Sequence, residues 1–444
     1  MGVRYVRLGG ILIVFIVAIG LASPLSLVPA GAAHTGGHAH PADGVRPSPQ
    51  VAATDSSGHF HCQMPAAKDN CYGAAQMRNA YSIQPLLDQG LDGSGRTIAI
   101  IDAFQNPTMT SDLATFDARF GLPAPPSFEI TAPFGTTPFD PKNANEVSWS
   151  GEIALDVEWA HTVAPGAGIV LALAPSDADA DLIATEAYVI NHRMADVISM
   201  SYGEAEQCKA PALQQQEHAL FDTATALDIT LLAGSGDEGA AQFACNSPFP
   251  CTVTCTYVKG VSTPASDPDV TGIGGTDLIA DLTTGAYGSE SVWNEPALDA
   301  GGGGGFSALY SRPSFQNAVT PVGSTRGVPD VSYSASLAHA VLVAWGSGGK
   351  GFEFWIFYGT SAGTPQWAGI AAIADQASGR DLGNLNPALY RLGQSSRQSP
   401  FHDITTGNND FQSISGYAAV PGWDAASGWG SPIASVLVAD LAKP

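Results

Sequence analysis

Ser361 is the residue whose setting most directly suggests chemistry. It stands in Tyr358-Gly-Thr-Ser-Ala-Gly-Thr-Pro365, a G-x-S-x-G flanked by strand-like text before and helix-like text after. That order places a serine on a tight strand-to-helix turn, exposed above a sheet edge. Pro365 suits the first turn of the following helix, where a missing N–H costs nothing. A serine there is either a nucleophile or a plain helix N-cap. A nucleophile needs a partner that takes its proton, and the segment alone leaves both readings open.

The partner is sought in "GEIALDVEWAHTVAP", residues 151–165. At ~100° per residue, Glu152 and Asp156 lie one turn apart within an apolar arc made with Ile153, Val157, Ala160, Val163 and Ala164. Glu158, His161 and Thr162 fall on the other side. Two neighbouring carboxylates on a buried face are costly as a pair of charges and escape by sharing a proton. Structure gains nothing from that, so the pair reads as functional, with a carboxylate as the base. Such a base works at acid pH. His161 reads as a surface histidine. A second enzyme class, an esterase, would need its acid and histidine after Ser361, and His402 alone lies downstream. The run Gly301–Gly305 has neither the histidine of an esterase oxyanion loop nor the Lys-Ser/Thr of a phosphate loop. It reads as flexible or closely approaching backbone.

The elements that position these residues alternate. Residues 96–104, 168–174, 196–203 and 228–237 read as buried strands, because they are apolar, β-branched and unbroken. Helical text at 110–121, 151–165, 180–193 and 213–227 separates or precedes them. The fold class expected is α/β, a doubly wound and mainly parallel sheet flanked by helices. One large domain covers residues 71–444.

The charge balance excludes a nucleic-acid binder: 41 acidic against 18 basic residues, with no basic face. Arg4, Arg7 and the apolar run 11–22 read as a signal peptide over 1–33, too short for a membrane span. Residues 34–70 read as a flexible leader rich in Gly, Pro, Ser and His. Six cysteines then suit an oxidising compartment. Cys62 with Cys71 is the expected local pair, and Cys208, Cys245, Cys251 and Cys255 are expected to pair among themselves. Zinc is disfavoured because Cys251-x-x-x-Cys255 has no well-spaced partner pair. A secreted monomer follows, acting on proteins or peptides, with no membrane partner after signal cleavage.

The segments "GEIALDVEWAHTVAPGAGIV" and "YGTSAGTPQWAGI" together resemble the sedolisin family of serine-carboxyl peptidases. So do "AGSGDEG" (233–239), "STPASDPDVTGIGGTDL" (262–278) and the tail "HDITTGNN…PGWDAASGWGSP" (402–432). The resemblance covers about residues 71–444 in five ordered motifs. It implies a subtilisin-like fold, with Glu152 as base, Asp156 as its supporting acid and Ser361 as nucleophile. Asp237 matches the family's oxyanion aspartate: protonated, it donates to a developing oxyanion, and ionised it repels one. Asp102, which ends the strand "IAIID", has no histidine to serve and would support the site from behind. Asp403 and Asp424 are hard oxygen ligands on loop text, suited to calcium. The resemblance completes one Ca²⁺ site with the carbonyls of Ile404, Val420 and Gly422; the alternative is two aspartates in Asx turns. Family members usually carry a domain-sized propeptide, whereas here residues 34–70 alone separate the expected signal from the resemblance, which bears on latency. The function expected is a calcium-stabilised acid endopeptidase. The rivals are the esterase and a non-catalytic binding domain of the same fold.

Overall fold

The structure is a computed structural model and describes residues 38–41, 60–65, 67–245, 247, 255–348, 353–395 and 399–443. The expected signal peptide and most of the leader lie outside these. The strands and helices that matter here are β1 (Thr97–Ala103), α1 (Met109–Phe120), β2 (Phe128–Thr131), α2 (Ala144–Val163), β3 (Gly168–Ala174), α3 (Asp179–Asn191), β4 (Val197–Met200), α4 (Pro211–Ala226), β5 (Thr230–Gly234), β6 (Thr271–Ala280), β7 (Tyr287–Val292), β8 (Val331–Ser334), β9 (His339–Ala344), β10 (Phe354–Phe357) and α5 (Thr360–Ser378).

The central sheet runs β7-β6-β5-β4-β1-β3-β2, with β8 also paired to β6. Every pairing is parallel except β6 with β7. The chain builds outward from β1 in one direction through β2 and β3, then in the other through β4, β5 and β6. That reversal opens a crevice at the carboxyl ends of β1 and its neighbours, where ligands of such sheets bind. The four strands expected from continuous apolar runs are β1, β3, β4 and β5.

Alternation along β1 builds two cores. Ile98 and Ile100 face one cluster with Ile153, Val157 and Ala160 of α2 and the apolar residues of α5. Ala99, Ile101 and Ala103 face another with Leu182 of α3 and Phe221 of α4. The sheet is therefore a middle layer covered on both faces.

The helix α2 departs from the sequence reading. It starts at Asn143, whose side chain accepts the Asn145 N–H at 3.1 Å, and it ends before Pro165. From Trp149 onward every residue is buried. The side expected to face solvent is covered as well, because α2 packs against β1 and α5 and also against α1 and β9. His161 is fully buried, not a surface residue: its Nε2 lies 2.7 Å from the Pro123 carbonyl and 3.3 Å from Asp117. Glu158 is buried too and accepts the Ala344 N–H at 2.9 Å.

A small sheet carries the turn that leads to Ser361. In it β9 pairs parallel with Asn70–Tyr72 and antiparallel with β10. The Cys62–Cys71 disulfide, the expected local pair, anchors its edge. Cys208 bonds Cys245. Cys255 is also disulfide-bonded, and Cys251 lies outside the described residues. Within the expected leader, His40–Pro41 pairs antiparallel with Tyr202–Gly203, so this part of it is docked.

One buried ion pair ties β8 to the core. The guanidinium of Arg326 donates to both oxygens of Asp330, at 2.7 and 2.6 Å, and Tyr390 and the Gly272 N–H complete that carboxylate. Removing the cation leaves a buried, uncompensated charge. Arg326→Met should therefore lower unfolding free energy by about 3–5 kcal/mol in a urea titration.

Candidate active site

Three carboxyl groups meet where the crevice opens. Glu152 and Asp156 lie one turn apart on α2, and Asp102 is the penultimate residue of β1; all are fully buried. Asp156 Oδ1 accepts a hydrogen bond from Ser201 Oγ at 2.9 Å. Asp156 Oδ2 and both oxygens of Glu152 and Asp102 hold no bond of regular geometry. Burial pushes all three pKa values well above the carboxylate range, most of all through lost hydration. Asp156 then raises Glu152 and Asp102 by its charge, and Asp102 and Asp237 raise Glu152 further. Hydrogen bonds act the other way, from Ser361 onto Glu152 and from Ser201 and Glu152 onto Asp156. The group therefore holds protons well above the usual carboxylate range, and those protons are shared.

Ser361 enters from the opposite wall. Gly359 sits at φ +117°, a conformation only glycine adopts freely, and makes the turn from β10 into α5. Ser361 Oγ points to the Ser201 carbonyl at 3.5 Å and interacts with Glu152. Ser361 is fully buried, not exposed as its strand-to-helix turn suggested.

Asp237 follows β5. Its Oδ1 accepts both the Thr360 N–H and the Thr360 hydroxyl at 2.8 Å, which fixes it beside Ser361 at the start of α5. The loop that carries it is braced by the glycine run. The Gly301 N–H donates to the Asp237 carbonyl and the Gly303 N–H to the Gly236 carbonyl. A Cβ on Gly303 would lie 2.0 Å from the Ser235 carbonyl oxygen. Of the two readings of Gly301–Gly305, close approach is the one realised.

Four sequence-expected residues, Glu152, Asp156, Asp237 and Ser361, thus converge. Asp102 joins them more intimately than its sequence position suggested, and Ser201 was missed. The signal for Asp102 was present: a carboxylate ends an apolar central strand. Ser201 had none, since a serine in "ISMSYG" is ordinary text. His402 is elsewhere. It stacks on Tyr287 with ring centroids 3.7 Å apart, in the strand pair with Ser431–Pro432.

The C-terminal loops gather the calcium candidates. Both Asp403 oxygens accept the Gly422 N–H, at 3.1 and 3.0 Å, and Asp424 Oδ2 accepts the Val420 N–H at 2.9 Å. Asp424 Oδ1 is held by Ala426 and Ser427. Asp403, Val420, Gly422 and Asp424 are therefore neighbours. Two hard carboxylates on adjoining loops fit a Ca²⁺ ion by donor type.

Comparison with known proteins decides the family. The Subtilase family model matches residues 143–391. Kumamolisin of Bacillus sp. (strain MN-32) is 34% identical over 398 residues, 87% of this chain and 66% of its own length. The chain belongs to the sedolisin family. Sedolisin of Pseudomonas sp. (strain 101) is 31% identical over 379 residues, 82% of this chain and 61% of its own length. The chain thus spans somewhat under two thirds of these relatives. The crystallised Pseudomonas sedolisin, a serine-carboxyl proteinase complexed with two molecules of pseudo-iodotyrostatin, superposes with a TM-score of 0.70 at 28% identity. That match covers 84% of this chain and 98% of that one, and it carries the subtilisin-like fold.

The raised carboxyls make stability depend on pH. Burial pushes Asp375 to about 7, Glu186 to about 8 and Glu204 to about 9, and Glu152, Asp156 and Asp102 move in the same direction. An acid whose folded pKa is raised binds more protons folded than unfolded. Its stabilisation is complete below the unfolded value and lost as pH climbs through the folded one. Burial lowers His402 to about 4, and this opposes the trend only at the acid end. Melting temperature should therefore fall steadily from pH 5 to pH 9. A scanning-calorimetry series across that range checks it, and a flat or rising curve would contradict the assignment.

Proposed function

We propose that the chain is a secreted serine-carboxyl endopeptidase that hydrolyses peptide bonds in proteins at acid pH. The observation that carries the reading is the meeting of Ser361 with the buried pair Glu152–Asp156, on a helix where carboxyl groups only cost stability. Ser361 Oγ attacks the peptide carbonyl and gives its proton to Glu152, which Asp156 holds in place by sharing a proton. Asp156 is itself fixed by Ser201. Asp237, anchored through Oδ1 to Thr360, donates from its protonated Oδ2 to the oxygen on which negative charge develops. Glu152 then passes its proton to the leaving amine as the acyl-enzyme forms. In the second half Glu152 takes a proton from water, which attacks the acyl carbonyl, and returns it to Ser361 Oγ as the ester bond breaks.

Secretion rests on the signal-like residues 1–33; among the described residues no helix is long and apolar enough to cross a membrane. Calcium is assigned to Asp403, Asp424 and the carbonyls of Ile404, Val420 and Gly422. There it would cross-link the C-terminal loops and take no part in proton transfer.

Glu152→Gln should keep the fold and lower kcat on a protein substrate on the order of 10²-fold or more, whereas His402→Ala should have a far smaller effect. The reverse order, loss with His402→Ala and retention with Glu152→Gln, would favour the esterase arrangement. Chelation at fixed pH should lower the melting temperature, with about 2.7 kcal/mol lost relative to a hundredfold excess of calcium over Kd. Asp424→Asn should reproduce that loss without chelator. An identical melting curve with and without chelator, together with elemental analysis that finds no calcium, would remove the metal from the account.

A further inference from the structure

A second group of titratable side chains gathers away from Ser361 and takes no part in its chemistry. His218 and Asp222 lie one turn apart on α4 and share a face of it. Against that face stands the turn Asp267-Pro-Asp269, which leads into β6. Asp267 Oδ2 lies 2.8 Å from His218 Nδ1, and Asp222 is within hydrogen-bonding reach of Asp269. One side-chain donor atom from each of His218, Asp267 and Asp269 lies within 4.8 Å of the other two. Metal bonds of about 2.0–2.2 Å to nitrogen and oxygen set neighbouring ligand atoms roughly 3 Å apart. The His218–Asp267 pair is therefore already spaced to chelate.

The turn is held by bonds of its own. Asp267 Oδ1 accepts the Asp269 N–H at 2.9 Å, which leaves Oδ2 to His218. Asp269 Oδ1 accepts from Thr225 Oγ1 at 3.1 Å and from Asn384 Nδ2 at 3.2 Å. Asp267 is 1% exposed, whereas the His218 side chain is 38% exposed and Asp222 faces solvent. The group is thus closed behind and open in front. Its charges do not balance. Among the described residues, His218 is the one ion-pair partner of the three carboxylates. The hydrogen bond to Asp267, with the charges of Asp267, Asp222 and Asp269, holds the imidazole at about 9 against its partial burial. Beside the group, Gln214 stands one turn before His218 on α4. It is 8% exposed, and its Oε1 meets no donor. Its Nε2 bonds the Tyr310 hydroxyl at 3.0 Å, and the Tyr310 ring packs on His218 with centroids 5.4 Å apart. The position is rich in acceptors and short of cations.

We propose that His218, Asp267 and Asp269, with Asp222 on the solvent side, bind a divalent transition-metal ion of the zinc class. One imidazole nitrogen beside carboxylate oxygens is a donor set for such an ion, whereas calcium takes oxygen alone. The ion takes the place of the imidazole proton that faces Asp267, relieves the crowding of Asp222 against Asp269, and clips α4 to the turn that opens β6. The site shares no residue with the calcium candidates around Asp403 and Asp424, and it stands whether or not the chain is a peptidase.

The test titrates zinc chloride into the full chain by calorimetry at neutral pH, with calcium saturating. The wild type should bind Zn²⁺, and the metal should raise its melting temperature. His218→Ala should weaken that binding at least about 100-fold, since losing even a group behind a ligand costs roughly 10–100-fold. Asp222→Asn should weaken it about tenfold, by the same comparison. Both side chains reach solvent, so both variants should fold and melt close to the metal-free wild type. The histidines within residues 34–61 offer Zn²⁺ other ligands, but they are intact in both variants, so the difference reports this site alone. Co²⁺ in place of Zn²⁺ should give visible absorption bands in the wild type that vanish in His218→Ala. No Zn²⁺ uptake by the wild type, or an isotherm and melting shift that His218→Ala leaves unchanged, overturns the inference. If His218→Ala does not fold, Asp222→Asn decides: weakened binding upholds the site, and unchanged binding overturns it.

Discussion

The structure turns on the burial of three carboxyl groups at one point of the crevice. Glu152, Asp156 and Asp102 are fully buried, and among the described residues no cation pairs with them. Such a set cannot be fully ionised, because each charge would be desolvated and would repel the other two. The folded chain therefore carries protons there. In the proposed mechanism a base made in this way would work at acid pH, unlike an imidazole, and would depend on a dry, rigid surround. The all-round burial of α2 supplies that surround. Its outer side, with Glu158 and His161, is covered by α1, β9 and the segment around Pro123.

The remaining site parts are placed by backbone devices. The left-handed turn at Gly359 brings Ser361 to the start of α5. Asp237 is held beside Ser361 by the two bonds that its Oδ1 accepts from Thr360, which is where the proposed mechanism needs an oxyanion donor. The glycine run Gly301–Gly305 can lie against residues 235–239 only because it lacks side chains. A substitution there would act on Asp237 without touching substrate.

Much of this was legible in the sequence, for physical reasons. Parallel strands buried on both faces read as unbroken apolar runs, and β1, β3, β4 and β5 did. The carboxylate pair was legible because charges on an apolar helical arc have no structural use. His161 was misread because a wheel reports one helix, whereas the burial of its polar side depends on neighbours distant in the chain. The strands β2, β6, β7 and β8 were not separated out: β2 is short and half exposed, β6 is rich in glycine, and β7 is mostly polar. Ser201 and the docking of His38–Pro41 depend on pairings that no local pattern encodes.

The central claim is that chemistry at Ser361 is driven by carboxyl groups that must hold protons. The most direct measurement is the pH profile of kcat/KM on a peptide of fixed charge, with folding checked at each pH. The account predicts a maximum in the acid range and a decline towards neutrality while the chain is still folded. In Asp237→Asn, which carries a permanent donor, the alkaline limb should move upward, with lower activity overall. A wild-type maximum near pH 8 in folded protein would contradict the carboxyl mechanism.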